Sequence, residues 1–223
     1  MKLLTLLCLA ASLCLLAACR NHAQPSDPSA GPDTTQKKDS SHGSFLPVAY
    51  FLMSEIRQVD TTPLALYKYT SQTRQPKNTG RSNVPGPSDT SPMDSVLISV
   101  PEFNILARHF LLDELDPDRF EKNYTESSFE DKTTQSITFT YSPLDNSATL
   151  QRVDVITEAF QGVSRIRSLY LQRTYKNADT LVTEKMYWRA QHYFQITTIS
   201  QPASGQAIAR QAKVVWDPIV STD

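Results

Sequence analysis

The sequence predicts an α+β fold: two or three N-terminal helices packed on an antiparallel β-meander of about six strands. Two observations carry this expectation. Up to about residue 124, apolar residues recur at helical spacing or follow helix-start signals, and from Ser136 onward they alternate with polar ones. The breaks between the alternating runs are short, and short links require antiparallel neighbours.

Val48, Phe51, Leu52, Ile56 and Val59 share one helical face, giving a helix over 47–59. Glu55 falls close to that face, either as a buried functional carboxylate or as a flank residue paired to an Arg. Residues 64–69 read as a short strand or a continuation of the helix. Residues 71–93 are dominated by Pro, Gly, Ser, Thr and Asn, and this is long for a loop inside a domain. The segment reads as a mobile surface loop or a binding lid. Ser95 to Ile98 is a strand or a lead-in. Pro101 and Glu102 suit a helix start, and Phe103, Leu106, Ala107, Phe110 and Leu111 line one face over 101–113. Asp116-Pro117 has the form of an N-cap followed by the first residue of a short helix, reaching about Tyr124. Strands are then expected around Ile137–Tyr141, around Val153–Val155, and over 164–175, 180–188, 192–200 and 212–217. Turns fall at 142–146, 161–162, 176–179 and 189–191. Helices under a curved sheet resemble the NTF2-like cone, the alternative architecture. That resemblance, and a likeness to lipoprotein carriers, implies room for an apolar ligand but not a function.

The N-terminus gives the sharpest functional signal. Lys2 precedes an apolar run from Leu3 to Ala18, broken only by Thr5 and Ser12, which is the layout of a secretory signal. The run is short of the roughly 20 apolar residues of a membrane span. No Lys/Arg cluster flanks it. Leu16-Ala17-Ala18-Cys19 resembles the lipobox of bacterial lipoproteins. The resemblance implies a signal peptide over 1–18, cleavage before Cys19, and diacylglycerol on the Cys19 thiol. The alternative is an ordinary secretory cut with Cys19 incidental. Two or three acyl chains, palmitate among them, bury enough methylene at about 0.8 kcal/mol each for stable anchoring. Residues 19–44 comprise the lipidated Cys and a tether without aromatic or large aliphatic residues. Such a segment cannot offset its own ordering entropy. As a flexible coil it would span about 25–30 Å. Residues 45–223 form the single folded domain.

Cys8 and Cys14 lie in the signal and Cys19 is acylated, so the mature domain has no thiol nucleophile and no disulfide. The chain carries 22 Lys+Arg against 23 Asp+Glu, and losing Lys2 with the signal leaves 21 against 23, a net of −2. No basic excess exists to hold nucleic acid. Six Gly, none clustered, offer no phosphate-binding loop. His22 and His42 lie in the tether, and nothing in the spacing of His109 and His192 suggests a metal. The acidic run Asp113, Glu114, Asp116, Asp118, Glu121 lacks the Gly of a calcium loop and is interrupted by Pro117; helix capping explains it. Neither a metal site nor a cofactor is expected.

Tyr187, Trp188, Tyr193, Phe194 and Trp216 are the candidate ligand or partner surface. They form a stacking platform for a glycan, the lining of an apolar cavity, or simply the aromatic core of a sheet. Arg165, Arg167, Arg173, Lys185 and Arg189 either face an anionic partner or decorate a solvated face.

The expected function is therefore a membrane-anchored envelope lipoprotein carrying a non-catalytic binding or interaction domain. Its partners would be the bilayer, through acylated Cys19, and an apolar or glycan ligand or an envelope protein. An enzyme acting on envelope polymers is the alternative, and it needs convergent carboxylates such as Glu55 with Glu158 or Glu184. A structural or assembly role for another envelope protein is the third reading. In Gram-negative lipoproteins that this chain resembles, Asp after the Cys signals inner-membrane retention. Arg20 and the absence of an acidic cluster place the expectation at the periplasmic face of the outer membrane.

Overall fold

The computed structural model describes residues 45–74, 89–90 and 93–216. The expected signal peptide, Cys19, the tether and most of the 71–93 segment lie outside the described residues. Residues 71–74, expected in the loop, are strand, and so are 89–90.

The domain is mainly β, which corrects the α+β expectation and its cone-shaped alternative. Ten antiparallel strands make one sheet, where about six were expected. The helices among the described residues are short: α1 (Val48–Thr61), α2 (Val100–Ala107) and α3 (Pro117–Asn123). The strands are β1 (Leu66–Arg74), β2 (Asp89–Thr90), β3 (Asp94–Ile98), β4 (Tyr124–Asp131), β5 (Ser136–Pro143), β6 (Leu150–Phe160), β7 (Val163–Asn177), β8 (Thr180–Arg189), β9 (Tyr193–Pro202) and β10 (Ile208–Val215).

Strands β4 to β10 pair in sequence order, and β1 closes against β10. On its other side β1 pairs both β2 and β3. The unexpected strands therefore sit at the margins. An edge strand has one partner and can leave a face to solvent, so it needs no apolar alternation. In β4 only Tyr124 is buried; Thr125 to Ser127 are exposed, which makes the strand look like a polar loop in sequence.

Between β3 and β4 the chain must travel from one edge of the sheet to the other. It does so as α2, two 3₁₀ turns (Arg108–Phe110 and Asp113–Leu115) and α3. Ser99 caps α2 by accepting the Glu102 amide, and Asp116 caps α3 by accepting that of Arg119. The buried residues Phe103, Ala107, Phe110, Leu115 and Phe120 trace this path over the core. They meet Val153 and Val155, Leu169 and Leu171, Met186 and Trp188, Phe194 and Ile196, and Val214 from successive strands. These residues recur with the strand period of two, so one face of the sheet is apolar. Each such side chain, fully buried, is worth about 1.5–3 kcal/mol.

Helix α1 adds Val48, Leu52 and Val59 to the same core, and Pro63 follows soon after its end. Tyr141 at the centre of β5 accepts the Leu46 amide at 3.2 Å, fastening the entry to α1. Tyr124 donates to the Leu150 carbonyl at 2.9 Å. Burial, aided by Glu114, pushes the Tyr124 phenol up to about 12. Burial also raises Tyr141 strongly.

Two local features shape the β6–β7 hairpin. A two-residue turn, Gln161-Gly162, joins the strands with φ of +50° and +78°, a conformation that Gly adopts without penalty. Farther along the same pair, Ile156 opposes Ser168 while Thr157 opposes Ile166, so Arg167 is an extra residue bulged out of β7.

Candidate functional site

The charged chemistry of the domain gathers where α1 crosses the β8–β9 turn. Glu55 projects from α1 and is only 7% exposed. Its Oε2 accepts the Trp188 indole N–H at 3.3 Å and the Gln191 amide at 2.7 Å. Gln191 holds φ of +62°, a left-handed conformation that costs a non-glycine residue on the order of 1–2 kcal/mol. The Glu55 bond offsets that cost and fixes the turn to the helix.

Beside this contact lies a partly enclosed cavity of about 280 Å³. Phe51 and Glu55 form its α1 wall, and Glu158, Arg165, Ile166 and Arg167 come from the β6–β7 hairpin. The β8–β9 turn supplies Arg189, Ala190, Gln191 and His192. The Ala190 amide bonds to the Arg167 carbonyl at 3.0 Å, which joins the bulge to the turn.

The cationic groups divide into two kinds. Arg165 gives both Nε and Nη2 to Glu158 Oε1, at 3.0 and 2.8 Å, and its guanidinium lies 3.8 Å from the Phe160 ring centroid. It is neutralised and stacked. Arg167 differs. Its Nε is buried and makes no hydrogen bond; its ion pair with Glu158 Oε2 is long, at 3.9 Å. A buried donor without a partner costs about 1–3 kcal/mol. Arg189 forms no ion pair among the described residues.

The five aromatic residues do not form one surface. Trp188, Phe194 and Trp216 are buried in the core. Trp188 stacks on Phe194 at 5.1 Å and 24°, while Phe110 meets Trp188 edge-on at 5.0 Å and Phe103 meets Trp216 edge-on at 5.4 Å. Tyr187 and Tyr193 are half-buried, with ring centroids 5.7 Å apart, and Tyr193 also packs against the core. Lys213 lies 4.3 Å from the Tyr193 ring centroid. Strand alternation separates the two groups.

Of the other candidates, Arg173 pairs with Glu184, which also accepts the Tyr175 hydroxyl at 3.3 Å. Lys185 and His109 are exposed. In the acidic run, Asp116 caps α3, and Glu121 accepts the Phe45 amide at 2.9 Å. A larger depression of about 630 Å³ adjoins Tyr124 and Leu144, and its described lining carries Glu114, Asp118 and Asp145 against Arg119 and Lys122.

Sequence reasoning missed Phe51, Ile166 and Gln191 as cavity residues. It singled out Arg165, Arg167 and Arg189 but did not bring them together. One signal was available. A two-residue turn at 161–162 puts Glu158 directly opposite Arg165, which is the observed pairing. The bulge at Arg167 left no comparable mark.

The chain matches no protein-family model and no curated protein.

Proposed function

We propose that the protein is an envelope lipoprotein, anchored through acylated Cys19, whose folded domain is a non-catalytic binding module. The observation that carries the binding reading is how the polar groups are used. Glu55, Glu158 and Glu184, the carboxylates a hydrolase would need, each accept hydrogen bonds from structural donors. Arg167, beside the cavity, retains a donor with nothing to receive it. Binding sites characteristically place a few unsatisfied polar groups in a partly apolar recess. Tyr187 and Tyr193 with Lys213 are the accessible remainder of the aromatic group and the place for a glycan or an envelope partner.

One observation favours the hydrolase reading: Glu55 and Glu158 line the same cavity. The two readings separate experimentally. Protein from the native host should show the mass of an acylated Cys19 N-terminus and sediment with outer membrane, and Cys19→Ser should move it to the soluble fraction. An unmodified, freely soluble wild type contradicts the anchor. Purified peptidoglycan and envelope polysaccharide should be recovered with unchanged chain length. Shortening that disappears in Glu158→Gln makes the protein a hydrolase.

A further inference from the structure

We propose that the cavity between α1, the β6–β7 hairpin and the β8–β9 turn binds a monocarboxylate carried on a small, partly apolar body, with Arg167 and Arg189 as its receptors. This names the ligand class of the binding function and rests on that function.

Charge sets the ligand's charge. Among the described residues, three arginines and two glutamates border the recess, with His192 on its rim, an excess of one positive charge with the imidazole neutral. Arg165 and Glu158 cancel each other in a two-bond contact. Glu55 is already held by Trp188 and Gln191. Arg167 shares Glu158 with Arg165 through a longer ion pair of 3.9 Å. The excess positive charge is therefore spread over Arg167 and Arg189, and one negative charge balances it where two would leave an excess close to Glu55 and Glu158. Geometry narrows the group. A guanidinium offers a planar fork of donors that suits paired oxygens of a carboxylate or a phosphate, and the single charge selects the carboxylate. The Arg167 Nε is the donor that lacks a partner. The bulge explains why it is there: an extra residue in one strand re-aims a side chain, and bulges are enriched next to binding sites. Size and polarity set the rest. A volume of about 280 Å³ lies just below the usual range for ligand pockets, so it takes a small molecule or the terminal group of a larger one. Phe51, Ile166 and Ala190 supply an apolar wall for a short hydrocarbon body.

The test is calorimetric titration of the full lipidated protein, in non-ionic detergent, with sodium butyrate, sodium phosphate and sodium chloride at matched ionic strength. Butyrate should bind saturably at one site, phosphate at least about tenfold more weakly, and chloride not at all. Arg189→Lys keeps the charge and loses the fork, so its affinity should fall about tenfold. Arg167→Gln combined with Arg189→Gln should abolish binding; Arg189→Lys decides the matter if that pair does not fold. Unsaturable butyrate binding, phosphate binding tighter than butyrate, or unchanged affinity in Arg189→Lys overturns the proposal. Butyrate recovered unaltered after incubation agrees with the non-catalytic reading. Chemical conversion of the probe would overturn that reading while leaving the site in place.

Discussion

Two regions built from the same strands use their polar groups in opposite ways. In the aromatic cluster beneath α2, Trp188, Phe194, Phe103 and Trp216 pack at ring separations between 5.1 and 6.5 Å. The Trp188 indole N–H, a polar group in that cluster, is satisfied by Glu55. In the cavity beside α1, the Arg167 Nε is buried and makes no hydrogen bond. Buried polar groups in folded proteins are nearly always paired, so such an exception calls for an explanation. Glu55 belongs to both regions and divides them: it closes the cluster and walls the cavity.

The largest effect should come from opening the sealed side. Trp188→Ala removes a fully buried ring and strips Glu55 of a donor. Unfolding in urea should show a loss of about 3–5 kcal/mol. A loss under about 1 kcal/mol would mean the cluster is not a packed core.

Next comes the residue shared by both regions. Glu55→Ala leaves the Trp188 N–H and the Gln191 amide without an acceptor, at about 1–3 kcal/mol for each buried group. Glu55→Gln keeps an acceptor oxygen and should restore most of the stability. Equal losses in Ala and Gln would show that the negative charge, not the acceptor, matters at this position.

Alkaline titration sharpens the packed side. The Tyr124 phenol is raised to about 12 in the folded domain, mainly by burial, against about 10 unfolded. Its neutral form is favoured by folding, so its contribution is fully present below pH 10 and is lost as pH rises through about 12. Tyr141, raised further by burial, acts in the same direction. Stability measured against pH should fall above pH 10 at up to about 1.4 kcal/mol per unit for each such tyrosine. The fall should be shallower in Tyr124→Phe. An identical slope in that variant would remove Tyr124 from the account.

The smallest stability effect belongs to the open side. Arg189→Gln, which breaks no ion pair among the described residues, should change unfolding free energy by no more than about 0.5 kcal/mol. A larger loss would make Arg189 a structural residue.

The same contrast explains what was legible in the sequence. The central strands announce themselves through the alternation of Val153 and Val155 or Met186 and Trp188, because one face of each must be buried. The caps Ser99 and Asp116 are local, and Pro101 and Pro117 mark the helix starts beside them. The margins were hidden because β4 and the two-residue β2, at the edges of the sheet, meet fewer constraints, and so the fold class was read with too few strands. At the site, the residue types were visible but their grouping was not. Arg189 lies more than twenty residues beyond Arg167, and only the folded hairpins bring both beside Phe51 of α1. The bulge that lifts Arg167 out of register is a tertiary outcome with no sequence signature here.

The division between a satisfied cluster and an unsatisfied cavity is most directly read from two N–H signals in one ¹H–¹⁵N spectrum during butyrate titration at constant ionic strength. The Trp188 indole N–H should exchange slowly with solvent and stay in place, while the Arg167 Nε–H shifts to a saturating end point. Fast exchange at Trp188, or an Arg167 signal unmoved while Trp188 shifts, would contradict the account.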